Sequence, residues 1–578
     1  MARTNSRFRF LVSTVFWAWI AAGCTRPAAT ASVQKAVDAR TDPLVHVKIL
    51  GINDFHGQLS PKKLQGRPVG GAAVLASYLR SASAGQEDRT LIVHAGDLVG
   101  ASPANSALLQ DEPSISFMNL FANEACDTRR LTVGPCNVVG AVGNHELDEG
   151  LSELRRLLEG GLHAKGPFLE NPWQGARYPT VSANILDATT RRPVFPPYVV
   201  RQVGGTQLAV VGAVLRSAPS IVTASGVAGL AFDDEADSVN RVIPELHAQG
   251  IHAIVLLIHQ GLTQPAYTGP TRSDVAAPTG ALLDIIRRLD DDVDVVVSGH
   301  THQFTNLRIA NAHGKSMLVV QAWSASTAFD DIDIEIDPAS QDIVAARASI
   351  VTPWGDQGPG LTPDAAAAKL VARADAAVAP RVEQVVGQSS APIERKVDDA
   401  GESVLGDVIA DALREVTGAD FAVENPGGIR ADLPAGTITW GDVFAVQPFG
   451  NGIVTLTLTG QDLLDLLNQQ WAREQPPGGR VLSISGFGYS VSRASAEVRP
   501  RIVEAHDGHG HPIVPSRSYT LATNQYVAQG GDGFSLLARL KPEESGRVDC
   551  DALADYLKKA PRPLPLPTSR RIVLVRRP

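Results

Sequence analysis

A chain of 578 residues is too long for a single hydrophobic core, so it carries several domains' worth of sequence. Its 44% hydrophobic and 20% charged residues are the balance of an ordinary globular protein, and a net charge of −9 excludes the basic footprint of a nucleic-acid binder. Beyond the N-terminus no apolar run is long enough to span a bilayer.

At the N-terminus, Arg3, Arg7 and Arg9 precede the apolar run from Phe10 to Ala22, and small residues follow. That is the layout of a secretory signal peptide, here residues 1–24. Ile20-Ala21-Ala22-Gly23-Cys24 resembles a bacterial lipoprotein processing site with Cys24 as the acylated residue. Ordinary cleavage, there or after Ala31, is the competing route. Either route predicts export to the periplasm, cell envelope or exterior, with membrane contact only through a lipid on Cys24. Residues 25–43, rich in Ala, Thr and Arg, read as a disordered tether.

From Val45 strand-like runs alternate with amphipathic helical stretches, which predicts an α/β domain over residues 44–354. Strands are expected at residues 45–52, 90–95, 138–142, 207–214, 253–258, 293–298 and 316–321, and helices at 71–81, 149–158, 237–247 and 281–290. Cys126 and Cys136 are close enough in sequence to close a small disulfide loop, which leaves Cys550 as a buried thiol. An alanine-rich helix opens at Thr362-Pro363-Asp364 and runs to Pro380, inside a linker at residues 355–383. In the last region, residues 384–578, helices at 403–417 and 461–471 and strands near 421–424 and 453–459 predict an α+β domain. Its one histidine group (His506, His509 and His511) sits on an Asp-Gly signal and reads as a polar hairpin turn before a metal site.

Five apolar runs of the first domain end in residues able to hold a metal. They are Asn53-Asp54-Phe55-His56-Gly57, Ala95-Gly96-Asp97, Gly143-Asn144-His145-Glu146, Ile258-His259-Gln260-Gly261 and Ser298-Gly299-His300-Thr301-His302. Each alone is an ordinary capping or packing residue. Together, each at a strand end, they form an oxygen and nitrogen donor set without sulfur, suited to two divalent ions such as zinc or manganese. Two such ions share a carboxylate, and Asp97 is the natural bridge. Asp54, His56 and His302 would take one ion, and Asn144, His259 and His300 the other.

Asp-x-His, Gly-Asp, Gly-Asn-His-Glu and Gly-His-Thr-His are the signature of calcineurin-like metallophosphoesterases. With Asn-Asp-x-His-Gly, Gly-Asn-His-Glu-Leu-Asp and a second domain, the chain resembles the bacterial 5′-nucleotidases. The resemblance implies an α/β/β/α sandwich, a helical linker and a C-terminal nucleotide-binding domain. It also implies hydrolysis of nucleoside 5′-monophosphates by a hydroxide held between the two ions. His145 would stabilise the phosphoryl oxygens or protonate the leaving group, oriented by Asp148. Glu146 is left structural, and His94 reads as packing or outer support.

In the second domain Glu424-Asn425-Pro426-Gly427-Gly428-Ile429-Arg430, Gln447-Pro448-Phe449-Gly450-Asn451 and Tyr526 to Phe534 resemble the nucleotide-binding segments of that family. By that resemblance Phe449 and Tyr526 sandwich the base, and Asp532 accepts from ribose hydroxyls. Asn425, Arg430 and Asn451 would contact phosphate, ribose or base. Tyr526 stands where several relatives have Phe, and Gly401 where some carry a substrate-binding Arg. The family rotates its second domain to deliver substrate, which puts the pivot at the 362–380 helix. A nucleotide is the expected partner of a monomeric chain. Nucleotide-sugar pyrophosphates, 2′,3′-cyclic nucleotides or a sulfur ester are the alternative bonds, and an inactive surface nucleotide-binding protein the alternative class. The stacking pair opposes the sulfur ester, and the complete ligand set opposes inactivity.

Overall fold

The runs that read as strands are buried because they are apolar at nearly every position. Ile254–His259 is Ile-Val-Leu-Leu-Ile-His with every side chain buried, as a central parallel strand flanked on both faces requires. The computed structural model describes residues 43–124, 126, 136–473, 475–476, 478–492, 499–567 and 570–575. The expected signal sequence, tether and Cys24 anchor lie outside them.

Two six-stranded sheets carry the first region. In one, Val45–Ile52, Thr90–His94, Val138–Ala141 and Thr180–Val181 run parallel, and the hairpin Phe329–Asp337 and Asp342–Val351 extends it antiparallel. In the other, Ser316–Ala322, Val293–Ser298, Ile254–His259 and Thr206–Val214 are parallel, with antiparallel edges at Phe304–Ala310 and Tyr198–Val203. The sheets face each other across a core that joins Ile49, Val93 and Val139 to Val210, Leu257, Val297 and Val320. Helices cover both outer faces. Ala72–Ser83 and Glu112–Asn119 pack on the first sheet, and Glu235–Ala248 and Leu282–Ile286 on the second. The architecture is the α/β/β/α sandwich.

Five strands of the two six-stranded sheets escape the sequence reading: 180–181, 198–203, 304–310, 329–337 and 342–351. Phe329–Asp337 is mostly alternating acid and isoleucine with alternating burial, a half-buried strand with too few consecutive apolar residues to look like a core one. The expected 281–290 helix is confined to Leu282–Ile286. The alanine-rich helix spans Ala365–Val382 and keeps Pro380 inside its last turn. Its Ala367, Leu370, Ala374 and Val378 are buried in the same core as the 72–83 helix, so this connector is anchored along its length to the first region. Cys126 and Cys136 are disulfide-bonded, and Cys550 is a buried thiol.

The last region is α+β. Ser483–Ser485, Phe421–Glu424, Ser518–Asn524, Gly452–Thr459 and Glu543–Val548 form one sheet in that order. Val404–Thr417 and Gly460–Gln469 start from Ser403 and Thr459, whose side chains accept from Gly406 and Asp462 backbone N–H groups. The Asp507 carboxylate accepts from the backbone N–H groups of His509 and His511, which makes that histidine group a turn.

Candidate active site

The turns that follow the parallel strands are unusual in their backbone. Asp54, His56, Asp97, His300 and His302 all stand in the left-handed region, with φ of 48°, 47°, 50°, 71° and 55°. For residues other than glycine this costs on the order of 1 kcal/mol each and persists only where neighbours enforce it. The neighbours are the other turns. The backbone N–H of His56 donates to Asp97 O at 2.9 Å and that of Asp54 to Gly96 O at 3.2 Å. His300 N donates to Asp54 Oδ1 at 2.9 Å, and His145 N to Asp97 Oδ1 at 2.9 Å.

This bracing brings the expected ligands into two adjoining groups, Asp54 with His56 and His302, and Asp97 with His259 and His300. Asn144 joins the second, its Oδ1 lying 3.1 Å from His300 Nδ1. Their suitability for cations shows in the nitrogens. His259 Nδ1 donates to Ala95 O at 2.8 Å, which turns Nε2 toward Asp97 Oδ2 at 3.0 Å. That Nε2 is buried and, among the described residues, has no well-aligned hydrogen-bond partner. His56 Nδ1 donates to Gly100 O at 2.9 Å, and its Nε2 meets His302 Nε2 at 3.0 Å. Donor atoms about 3 Å apart are neighbours in the shell of an ion bound at about 2.0–2.2 Å. Electrostatics agree. Burial lowers the His259 imidazole, but Asp97 and Asp54 outweigh it and push it up to about 10, so the gap draws positive charge. Burial keeps His56 and His300 neutral, at about 3 and about 4, the form that ligates. The residues present fit divalent ions.

His145 stands beside these groups, its ring 5.1 Å from that of His56. Its Nδ1 is 2.7 Å from Asp148 Oδ2, which leaves Nε2 for the cleft. Burial opposes the imidazolium, yet Asp148 and Asp97 win and hold its proton more tightly than in water. Glu146, left without a role in the sequence, has one here. Its carboxylate accepts from the backbone N–H groups of Asp97, Leu98 and Gly143 at 2.9, 2.8 and 2.6 Å, fastening two ligand-bearing turns together. Burial and the Asp97 charge push it up to about 7, a field that bound cations reverse. The signal was its place next to two expected site residues. His94 is buried edge-on to Tyr178 at 5.7 Å, a packing residue.

A cleft of about 420 Å³ separates this wall from the last region, and Asn425, Arg430, Phe449, Asn451, Tyr526 and Asp532 all line it. Phe449 lies nearly parallel to the His145 ring at 5.8 Å, and the Arg430 guanidinium is 5.8 Å from the Phe449 ring. Asp532 is tied at every polar atom. Asn425 Nδ2 donates to Oδ2 at 2.7 Å, the Tyr526 hydroxyl donates to Oδ1 at 3.1 Å, and the Asp532 N–H donates back to that hydroxyl at 3.0 Å. Arg480 Nε lies 3.4 Å from Oδ1, and Gln475 Nε2 donates to the Asp532 carbonyl at 2.7 Å. Arg480 and Gln475 carry no motif, and nothing in the sequence singles them out. Asn451 accepts the Asp549 N–H at 3.0 Å through its backbone.

With this geometry in hand, likeness to known proteins is informative. The calcineurin-like phosphoesterase family matches residues 47–304, and the 5′-nucleotidase C-terminal domain matches residues 385–539. A cell wall protein of Listeria monocytogenes is 31% identical across 96% of this chain and 72% of its own length. The chain belongs to the 5′-nucleotidase family. It is a metal-dependent phosphohydrolase, and the family acts on nucleotides. An endonuclease of Bacillus subtilis is 34% identical across 93% of this chain, which spans only 42% of that relative. Among solved structures, a 5′-nucleotidase precursor from Thermus thermophilus superposes with a TM-score of 0.71 at 26% identity, over 92% of this chain and 100% of that one. In this 5′-nucleotidase-family chain both site walls fall inside the matched segments.

Proposed function

We propose that this chain is an exported two-metal phosphohydrolase that releases phosphate from nucleoside 5′-monophosphates. The observation that carries the reading is the single cleft lined by His145 and Asp97 on one side and by Phe449, Tyr526 and Asp532 on the other. Asp54, His56 and His302 would hold one divalent ion and Asn144, His259 and His300 a second, with Asp97 between them. Zinc or manganese in those positions would supply positive charge at the phosphoryl oxygens and a nucleophile active near neutral pH. His145 donates from Nε2 to a phosphoryl oxygen or to the departing 5′-oxygen, and Asp148 keeps the imidazolium oriented. Glu146 holds the Asp97 and Asn144 turns in register.

Across the cleft, Phe449 and Tyr526 offer ring faces to a base and Asp532 offers carboxylate oxygens to the ribose. Arg430 is half-buried and cationic on the side where the phosphate would lie, and Asn425 and Asn451 complete the polar lining. Asp532 Oδ2 has Asn425 as its donor and keeps a second lone pair for a ribose hydroxyl, while Tyr526 holds Oδ1 in place. Export is supported by the charged and apolar order of residues 1–24 and by a relative named as a cell wall protein.

The test is phosphate release from nucleoside monophosphates, a nucleotide sugar and a 2′,3′-cyclic nucleotide. It uses the chelator-stripped, zinc- or manganese-reloaded chain. Release from the monophosphates, abolished by the chelator and restored by metal, is the expected result. Release confined to the diester or pyrophosphate substrates would transfer the reading to those bonds.

A further inference from the structure

A second group of metal-competent side chains lies at the other end of the second sheet. The helix Glu235–Ala248 ends in a Schellman turn, in which Ile251 N donates to Leu246 O at 3.0 Å and Gly250 N to His247 O at 2.9 Å. Gly250, at φ 75°, makes the reversal, and Leu246 and Ile251 are both fully buried beneath it. The turn folds His252 back against His247, and the two rings stack at 4.8 Å between centroids, 29° from parallel.

Both rings address one atom. His247 Nε2 and His252 Nδ1 converge on Asp292 Oδ2, the latter at 2.7 Å. Among the described residues no lysine or arginine lies within ion-pair distance of Asp292, and the Lys315 charge acts on it only from farther away. A divalent ion would take one nitrogen from each ring and one carboxylate oxygen from Asp292, three donor groups that already face one another. All three side chains keep a solvent-facing part, with 38%, 39% and 25% exposure, so an ion can arrive and complete its shell with water.

The place is separate from the cleft. His252 and Asp292 precede the strands Ile254–His259 and Val293–Ser298, whereas His259 and His300 stand at or beyond their far ends. Six residues of strand put about 20 Å between the two.

We propose that His247, His252 and Asp292 form a distinct divalent-cation site of the zinc, nickel or copper class, whose two nitrogens and one carboxylate exclude magnesium and calcium as preferred ions. It would pin the end of the 235–248 helix to the starts of two central strands.

The test is metal content of the full chain after chelator stripping and dialysis against buffered zinc, for wild type, His252→Ala and Asp292→Asn. Each variant is expected to hold one zinc per chain fewer than wild type, with nucleotide hydrolysis unchanged and a smaller zinc-induced rise in Tm. Because the readout is a difference, it stands whatever the number of ions in the cleft. Equal zinc content in all three proteins would overturn the site. A loss in His252→Ala with none in Asp292→Asn would overturn the three-residue ligation.

Discussion

On the wall that carries the strand ends, five of the seven expected ligands stand in left-handed backbone. On the facing wall, of the six expected residues only Asp532 does, at φ 56°. The first wall spends its hydrogen bonds on fastening one turn to another, and leaves imidazole nitrogens and carboxylate oxygens facing each other at about 3 Å. The second wall satisfies itself. Asn425, Tyr526 and Arg480 all close on Asp532, and Arg430 approaches Phe449. One wall is strained and gathers donor groups suited to cations, and the other is relaxed, with its polar groups bonded to one another. Substitutions on the first should therefore act on kcat and metal content, and those on the second on KM.

The largest effect expected is from His145→Ala, which should lower kcat by about 10²–10⁴ with metal content intact. A change confined to KM would mean that His145 belongs with the binding wall, and the comparison would break at its centre. Next is Glu146→Gln. Exchanging one carboxylate oxygen for an NH₂ group sets a donor against a backbone N–H. Metal affinity should fall by about 10–100-fold, read by competition with a chromophoric chelator. Unchanged affinity would show that the turns keep their strained backbone without that fastening.

The two walls also differ in how far the sequence discloses them. Asp54, Asp97, Asn144, His259 and His300 each follow an apolar run that a strand requires, so one repeated pattern exposes them as a set. Glu146 sits in the same motif, but its acceptance of three N–H groups from two turns is a tertiary fact. On the other wall, glycine-rich turns mark places where a backbone approaches something, and only the family resemblance assigns Phe449, Tyr526 and Asp532. Arg480 and Gln475 reach Asp532 from a loop with no pattern of its own. The acid and isoleucine alternation of 329–337 is a weaker strand signal than a run of consecutive apolar residues, because only one face of that strand is buried.

A smaller effect sharpens the contrast on the binding wall. Tyr526→Phe keeps the ring and removes a hydroxyl that both donates to and accepts from Asp532. Each bond is worth about 1 kcal/mol and both hold the Asp532 carboxylate in place, so KM for a nucleoside monophosphate should rise by up to about 30-fold with kcat unchanged. An equal fall in kcat would mean that Asp532 positions the phosphate as well as the ribose.

The smallest effect on activity concerns the carboxyl groups buried beneath each wall. Glu146 receives three backbone N–H groups and lies beside the cation sites, so it serves as an anion. Glu424, fully buried at the end of the 421–424 strand, meets one donor among the described residues, the Asn524 amide, at 3.1 and 3.2 Å. Burial, with the charges of Asp549 and Asp532, holds it well above the usual carboxylate range. The native state therefore keeps a proton that the unfolded chain releases near pH 4.3. Because the folded protein binds more protons in that window, stability falls as pH rises, by up to about 1.4 kcal/mol per pH unit, and levels off above the native value. Glu424→Gln reproduces the protonated shape and cannot ionise. Urea midpoints from pH 5 to 8 should decline more steeply for wild type than for the variant, with hydrolysis little changed at neutral pH. Parallel slopes would mean that Glu424 is ionised in the native state, and that the second wall, like the first, rests on a buried negative charge.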